Sequence, residues 1–288
     1  MSTVNRRSFL AGAVGAAGAG SLVVPASVLA ATGAAAKTAT PPVKQNPALV
    51  ANRSRNVVGK MLYISDDGTE RGREWFSFTY RKDGQITLRA YCEIDDTRVE
   101  RDIVQTMNDK FHPLDCFCRL HVKGEFLGTG WIRVSEKEAE CEVSSAVLGR
   151  VHQVMPLAKP VKSLVSHPIV ADGLLMAGFD HSRPEKIQTW EGGLSTSPLL
   201  DGGSGPLLAL GKERGAEYVG PEQITTPAGT FDTHHYRMLM GKRPDGRQLS
   251  YDLWCRHPDY LVVRAEVGNY LSNATGFGRY ELVELTAS

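Results

Sequence analysis

Three alternating runs near the C-terminal end constrain the fold of this chain more than any other feature. The runs cover residues 231–240, Gln248–Arg256 and Leu261–Val267, and turn-forming residues separate them at 244–246 and 257–259. Successive side chains on a strand point to opposite faces, so alternation of this kind is typical of strands in a half-buried sheet. Runs joined by tight turns predict an antiparallel meander.

The rest of the chain repeats this pattern at a spacing of roughly ten residues. It therefore predicts an all-β fold, either an antiparallel barrel or a strongly curved sheet of the calycin or lipocalin type, with a two-sheet sandwich as the alternative. Residues 99–107 fit a helix or a strand, and their β-rich surroundings favour the strand. One short helix is expected over residues 169–179, followed by a long loop over residues 180–205.

The first thirty residues have the features of an export signal. Arg6 and Arg7 precede an apolar run rich in Ala and Gly, which ends in small residues at position 30. The pattern predicts a twin-arginine signal peptide over residues 1–30, with the twin-arginine translocase and signal peptidase as partners and a periplasmic location. A membrane anchor is the alternative, and Pro25 argues against it. A flexible linker is expected over residues 31–55, and a single β-barrel domain over residues 56–288.

Charge and motifs exclude several classes of function. The formal net charge is +1, and loss of Arg6 and Arg7 with the signal peptide takes it to −1, so no nucleic-acid partner is expected. No G-x-S-x-G, H-E-x-x-H, P-loop or dinucleotide motif is present, and we expect no cofactor. The five cysteines are either small buried hydrophobic residues or include one disulfide.

One face of the meander carries candidate catalytic residues. His234 and Tyr236 share a face of the first strand, and Tyr251 on the second strand can join them. His181 stands where the predicted helix meets the long loop. An imidazole beside phenols offers a general base or acid, so His234, Tyr236, Tyr251 and His181 are the predicted catalytic residues.

The opposite face carries polar residues for which two roles are open. They can bind a substrate carboxylate, or they can form a cross-strand ladder of salt bridges on an exposed face. The predicted substrate-binding residues are Arg237, Asp252, Trp254, Arg256 and Arg264, together with Trp190 from the long loop. His234 and His235 point to opposite sides and cannot chelate one metal ion together, so no metal site is predicted.

A short stretch of the chain is similar to a known family. Gly220, Glu222, the sequence Thr-Pro-Ala-Gly-Thr-Phe at 226–231, Trp254 and Pro258 resemble DUF3108-type domains over residues 217–285. The resemblance implies an exported bacterial protein with a barrel or half-barrel similar to lipid-binding calycins. That family has no established catalytic residues to carry over. The His-His-Tyr-Arg run at 234–237 departs from its pattern.

Three functions are compatible with these features. The favoured one is an exported barrel whose strands surround a hollow, where a small lipophilic or aromatic molecule undergoes cofactor-independent acid–base chemistry of the lyase or isomerase type. The second is a non-catalytic carrier of a hydrophobic ligand or an envelope-assembly protein. The third is a structural module with a filled interior.

Overall fold

The computed structural model describes residues 54–197, 202–242, 245–267 and 278–288. The predicted signal peptide and all but the last two residues of the predicted linker lie outside the described residues. The first strand begins at Arg55, the last residue assigned to that linker.

Strands make up most of the described chain. The strands of the first half are β1 Arg55–Ser65, β2 Glu70–Tyr80, β3 Ile86–Ile94, β4 Val99–Met107, β5 Pro113–Val122, β6 Glu125–Val134, β7 Glu138–Ser145 and β8 Gly149–Pro156. The strands of the second half are β9 Leu164–Val165, β10 Gln188–Thr189, β11 Leu194–Ser195, β12 Leu208–Ala209, β13 Arg214–Thr226, β14 Gly229–Lys242, β15 Gln248–Arg256, β16 Leu261–Val267 and β17 Gly278–Ala287. The helix α1 Ile169–Asp172 continues into a 3-10 turn, Gly173–Gly178, and we call residues 169–178 the helical insert.

Two antiparallel meanders join into one 14-stranded sheet. Its strand order is β10-β13-β14-β15-β16-β17-β1-β2-β3-β4-β5-β6-β7-β8. The last strand, β17, pairs with β1 and so connects the C-terminal meander to the N-terminal one. A second sheet of three short strands, β12-β11-β9, accompanies it.

The sheet curves around one large core, and a small second cluster of Ile224, Trp254 and Val263 lies apart from it. Val143 of β7 and Tyr236 of β14 belong to one buried cluster, although these strands are far apart in the sheet. This confirms the predicted all-β fold with a strongly curved antiparallel sheet, and one continuous sheet replaces the sandwich alternative. The strand prediction for residues 99–107 is confirmed. Within the described ranges β8 and β10 do not pair, so the sheet is not closed.

The helical insert packs on the inner face of the sheet. Val170, Leu174, Leu175 and Met176 are buried in the same cluster as Leu253 of β15. The sequence predicted that the inner face surrounds a hollow, and the insert covers part of this face because burial stabilises its apolar side chains. In the part of the chain that the structure describes, no helix has the length and apolarity to cross a membrane.

All five cysteines are buried free thiols. Burial raises the pKa of Cys118 to about 12 and that of Cys141 to about 11. Thiols with pKa values this high stay protonated at neutral pH and behave as small hydrophobic residues. The structure thus agrees with the expectation that these cysteines are small buried hydrophobic residues, rather than partners in a disulfide.

A buried carboxyl group fixes the start of the insert. Glu74 of β2 accepts hydrogen bonds from the backbone N–H groups of Ile169 and Val170, at 2.9 and 3.1 Å, and from the Tyr63 hydroxyl at 2.6 Å. Burial raises the pKa of Glu74, and these hydrogen bonds oppose that rise. The backbone N–H groups in the first turn of a helix have no acceptors within the helix. Glu74 supplies the acceptor oxygens for two of them.

A second carboxyl group ties the insert to β15. Asp172 accepts a hydrogen bond of 2.5 Å from the Tyr251 hydroxyl. Burial raises the pKa of Asp172 to about 7, the Tyr251 bond opposes the rise, and the charge of Glu74 adds to it. The charge of Asp172 also contributes to the raised pKa of Tyr280 and of Cys255, after the larger effect of burial.

Replacing Asp172 by asparagine is expected to change how stability depends on pH. The folded-state pKa of about 7 lies above the unfolded value of ~3.9, so the folded state holds more protons and the free energy of unfolding falls as pH rises between these values. The full shift in the pKa of Asp172 corresponds to a change of at most ~4 kcal/mol in the free energy of unfolding. Asp172 is half-buried, so solvent screens part of its charge. We therefore expect the free energy of unfolding of Asp172→Asn, relative to that of wild type, to rise by about 2 kcal/mol from pH 5 to pH 8.

Urea denaturation at the two pH values measures this gain. The histidine contributions are common to both proteins and cancel in the difference. Asp102→Asn, on an exposed position of β4, is the matched control and should show no gain. An equal difference between Asp172→Asn and wild type at pH 5 and pH 8 would contradict the assignment.

Candidate functional site

The strand register decides which face of the meander points inward. His234 lies opposite Cys255 and Tyr236 opposite Leu253 in the pairing of β14 with β15. Tyr236, Leu253 and Cys255 are fully buried. The inner face therefore carries His234 and Tyr236, and the outer face carries the neighbouring residues His235 and Arg237.

Three imidazoles and two phenols meet at one end of the helical insert. We call His181, Tyr218, His234, Tyr236 and His257 the imidazole–phenol cluster. The Tyr236 hydroxyl lies 2.9 Å from Nε2 of both His181 and His257. The Tyr218 hydroxyl lies 3.0 Å from Nδ1 of His234. One hydroxyl proton cannot serve both imidazoles, so Tyr236 donates to one of them and accepts from the other.

The rings of this cluster are in close contact. His234 and His257 stack with ring centroids 3.9 Å apart and 22° between their planes. His181 stands edge-on to both, at 5.4 and 5.5 Å. His181 is exposed, whereas His234 and His257 are half-buried, so the cluster opens to solvent on the His181 side.

A tight turn presents His181 to the cluster. The Asp180 carboxylate accepts hydrogen bonds from the Ser182 backbone N–H, the Ser182 hydroxyl and the Arg183 guanidinium. The Gln188 side chain of β10 accepts a hydrogen bond of 2.7 Å from the Asp180 backbone N–H and donates one of 2.8 Å to the Asp180 carbonyl. Phe179, just before this turn, packs against the Tyr236 ring at 5.6 Å. The insert and β10 thus fix the position from which His181 reaches the sheet.

The turn after β15 presents His257. Its ring stacks on His234 on one side and contacts Tyr260 of the same turn at 4.6 Å. Asp259 of this turn accepts hydrogen bonds from the Arg256 guanidinium. Burial lowers the pKa of His257 by more than the charge of Asp259 raises it.

The surroundings keep the imidazoles neutral. Burial lowers the pKa of His257 to about 4, and His234 and His181 lower it further by mutual repulsion. Burial also lowers the pKa of His234 and of His181. Burial raises the pKa of Tyr236 and of Tyr218, so both phenols keep their protons at neutral pH. At pH 7 the cluster offers lone pairs of uncharged imidazoles beside intact hydroxyl groups.

Among the residues that the structure describes, two groups of side chains have donor atoms close enough to share a metal ion. In the first, His181, His234 and His257 each offer one ligand atom, and these atoms lie within 4.8 Å of one another. The second consists of Glu140, Glu142 and His152 on the outer surface, where Glu140 also pairs with Arg133. Exposed acidic groups of the second kind are common without an ion.

Only some of the residues predicted from the sequence come together. His181, His234 and Tyr236 are in the cluster. Tyr251 lies on the same inner face, but its hydroxyl is bonded to Asp172. Trp190 packs against the large core, and its backbone N–H donates a hydrogen bond to the Arg214 carbonyl.

The predicted substrate-binding residues of the outer face are paired with other side chains of the protein. Asp252 accepts from His235 at 2.8 Å and pairs with Arg237 at 3.2 Å. Burial acts to raise the pKa of Asp252, but the His235 hydrogen bond and the Arg237 charge outweigh it and lower the pKa. The face thus has the form of the cross-strand ladder, the second role considered for it.

Three further outer-face residues are also paired. Trp254 stacks on the His235 ring at 4.2 Å, and its indole N–H donates to Glu222. Arg256 pairs with Asp259, as above, and Arg264 donates to Glu281 at 2.8 Å.

Tyr218 and His257 were not among the predicted site residues. His257 lies in the turn-forming sequence at 257–259. Nothing in that local sequence indicates that the turn places the His257 ring against His234. Tyr218 reaches His234 from β13, whose pairing with β14 shifts between Tyr218 and Gly220. Such a shift in register has no signal in a single sequence, apart from Gly220 as a residue tolerant of the bulge.

Comparison with solved structures supports the fold. A β-barrel-like protein of the domain of unknown function DUF1849 from Brucella abortus matches with a TM-score of 0.50 and 9% identity, over 82% of this chain and 98% of that one. At this identity the match shows a β-barrel-like fold and nothing about activity. No protein-family model and no curated protein matches the chain, so the resemblance to DUF3108 stays a prediction.

Two further structures are more distant. A protein with a YmcC-like fold from Bacteroides fragilis has a TM-score of 0.31 and 12% identity, over 81% of this chain and 96% of that one. A DUF1329 family protein from Desulfovibrio piger has a TM-score of 0.21 and 9% identity, over 83% and 87%. Scores this low support no conclusion about this chain.

Proposed function

We propose that this chain is an exported protein that binds a small ligand at the imidazole–phenol cluster. The observation that carries the proposal is the convergence of three imidazoles and two phenol hydroxyls on the inner face of the sheet, at a point that opens to solvent beside His181. Binding sites characteristically combine aromatic walls with a few convergent polar groups. Phe179 and Tyr260 supply further aromatic surface beside the rings.

The cluster supports binding at this end of the insert better than binding inside the sheet. The helical insert contributes Val170, Leu174 and Met176 to the core. A carrier that encloses a lipophilic molecule would have to displace those side chains. A ligand at the cluster needs only access past His181.

Export is the second element of the proposal. Its support is the pair Arg6 and Arg7 followed by an apolar run and small residues at position 30. The twin-arginine translocase and signal peptidase are the partners that this implies. A periplasmic or envelope location follows for the mature chain.

Cofactor-independent acid–base chemistry on the bound ligand is the second candidate function. The observation that favours it is the Tyr236 hydroxyl, shared between His181 and His257 at 2.9 Å each. A phenol between two imidazoles forms a path along which a proton can move from one ring to the other. One well-placed acid or base contributes on the order of 10²–10⁴-fold to a rate, which an elimination or isomerisation of a small aromatic compound can use.

Native mass spectrometry of the purified protein tests the binding proposal. We expect a bound species on the wild-type chain and on His235→Ala, and its loss from His234→Ala. The two histidines are neighbours on opposite faces of β14, so they form a matched pair for this test. A wild-type chain without any bound species, or a ligand that remains on His234→Ala, would contradict the proposal.

A further inference from the structure

The three imidazoles of the cluster converge in a way that hydrogen bonding to tyrosines does not require. The chain has eight histidines, and three of them place one ring nitrogen each within 4.8 Å of the others. They come from three separate segments, namely the turn after the helical insert, β14 and the turn after β15. The Tyr236 hydroxyl has one proton to donate and lies between two imidazoles.

The Tyr218 phenol holds the ring of His234 as partners of metal-ligating histidines do. The Tyr218 hydroxyl is hydrogen-bonded to Nδ1 of His234, so Nε2 of that ring is the nitrogen available to bind a ligand. A ligating histidine usually donates its other ring N–H to an oxygen, which fixes both the tautomer and the ring orientation. The Tyr236 hydroxyl lies 2.9 Å from Nε2 of both His181 and His257, so an ion bound through these two nitrogens would also lie beside the Tyr236 oxygen.

The donor set defines the kind of ion. The carboxylates nearest in sequence are Asp180 and Asp259, and each is paired with an arginine, Arg183 or Arg256. Among the described residues, the group that contains the three imidazoles has no carboxylate or thiol. Imidazole ligands suit Zn²⁺, Cu²⁺, Ni²⁺ and Co²⁺, whereas Mg²⁺ and Ca²⁺ prefer oxygen ligands.

We infer that His181, His234 and His257 bind one divalent late transition-metal ion, with Zn²⁺ as the reference case. The inference rests on the proposed function, since it names the ligand of the same site. Three histidines with an open fourth position match the coordination of catalytic zinc sites, in which the fourth ligand is exchangeable.

The rings have to close slightly around the ion. In a tetrahedral site with Zn–N bonds of about 2.0–2.1 Å, ligand nitrogens lie ~3.4 Å apart. The nitrogens here lie within 4.8 Å, so side-chain rotations that bring them together by ~1.4 Å or less are sufficient. His181 is exposed on a turn and has the most freedom to move.

Calorimetric titration of the purified protein with Zn²⁺ tests the inference. We expect one ion per wild-type chain at micromolar affinity or tighter, and the visible absorption of four-coordinate Co²⁺ when cobalt is substituted. Loss of one of three ligands is expected to weaken binding at least ~100-fold in His181→Ala, His234→Ala and His257→Ala. Near-UV circular dichroism checks that each variant is folded, and the corresponding His→Asn variants replace any that is not.

Two matched controls exclude other binding sites. His235→Ala removes the adjacent imidazole on the outer face, and His152→Ala removes the imidazole beside Glu140 and Glu142; both should bind Zn²⁺ as wild type does. Wild-type binding weaker than ~100 μM, or binding that falls in His152→Ala and not in His234→Ala, would overturn the inference.

The outcome separates this inference from the proposal it deepens. If native mass spectrometry finds an organic ligand that depends on His234, while Zn²⁺ does not bind, the metal assignment fails and the ligand-binding proposal stands. If neither species binds at His234, both fail.

Discussion

Replacing Glu74 by alanine is expected to lower the free energy of unfolding by about 3–5 kcal/mol. The change leaves the N–H groups of Ile169 and Val170 and the hydroxyl of Tyr63 buried without their acceptor, and it opens a cavity between β2 and the helical insert. Glu74→Gln keeps one acceptor oxygen but turns an amide N–H₂ group towards donors. An intermediate loss of about 1–3 kcal/mol is expected for it.

Glu100→Ala is the matched control for Glu74. Glu100 lies at an exposed position of β4, where loss of a carboxylate should change the free energy of unfolding by no more than ~0.5 kcal/mol. Guanidinium denaturation measures all three variants. If Glu74→Ala lost less than ~1 kcal/mol, Glu74 would not be the anchor of the insert.

Replacing Gly173 by alanine is expected to cost about 3 kcal/mol, because the insert packs tightly against the turn that carries His257. A Cβ atom at Gly173 would lie 2.1 Å from the backbone oxygen of Tyr260 and 3.0 Å from a methyl group of Val262. A backbone oxygen cannot rotate away, so the insert would have to move off the sheet. The same movement separates His181 from His257, and ligand binding at the cluster should weaken with stability.

Gly178→Ala provides the control on the same insert. Nothing lies within 4 Å of a Cβ atom at this position, and Gly178 is exposed. We expect a gain of about 0.4–1 kcal/mol from the stiffer unfolded chain, with unchanged ligand binding. Thermal denaturation of both variants checks the contrast. Equal stability of Gly173→Ala and Gly178→Ala would show that the contact with Tyr260 is not close.

The strands could be predicted from the sequence because alternation is a local property. The bounds of β15 and β16 agree with the predicted runs Gln248–Arg256 and Leu261–Val267. Residues 99–107 form β4, although their pattern also fitted a helix. The short apolar segment from Ile169 is helical, as expected.

The location of that helical segment could not be predicted. Its apolar side chains indicate burial, but a pattern of this kind does not show which surface they cover. The interaction that fixes the location is the hydrogen bonding of Glu74 to the N–H groups of Ile169 and Val170, about 95 residues away in sequence. A glutamate in an alternating strand gives no indication of such a partner.

The candidate site was predictable for the residues on one strand and not for those on turns. The shared face of His234 and Tyr236 follows from alternation, and His181 was predicted from its place between the helix and the long loop. His257 and Tyr218 depend on how two further strands approach β14, which includes a shift in register beside Gly220. The prediction of no metal site was based on the opposite faces of His234 and His235 and on the lack of clustered carboxylates, and it did not include the pairing of His234 with His257.

Anomalous diffraction at the zinc edge, from crystals of the protein grown with Zn²⁺, tests the central claim most directly. The claim predicts one strong peak within about 2.0–2.1 Å of ring nitrogens of His181, His234 and His257, beside the Tyr236 hydroxyl. A peak only at Glu140, Glu142 and His152, or electron density in which the three imidazoles point away from one another, would contradict it.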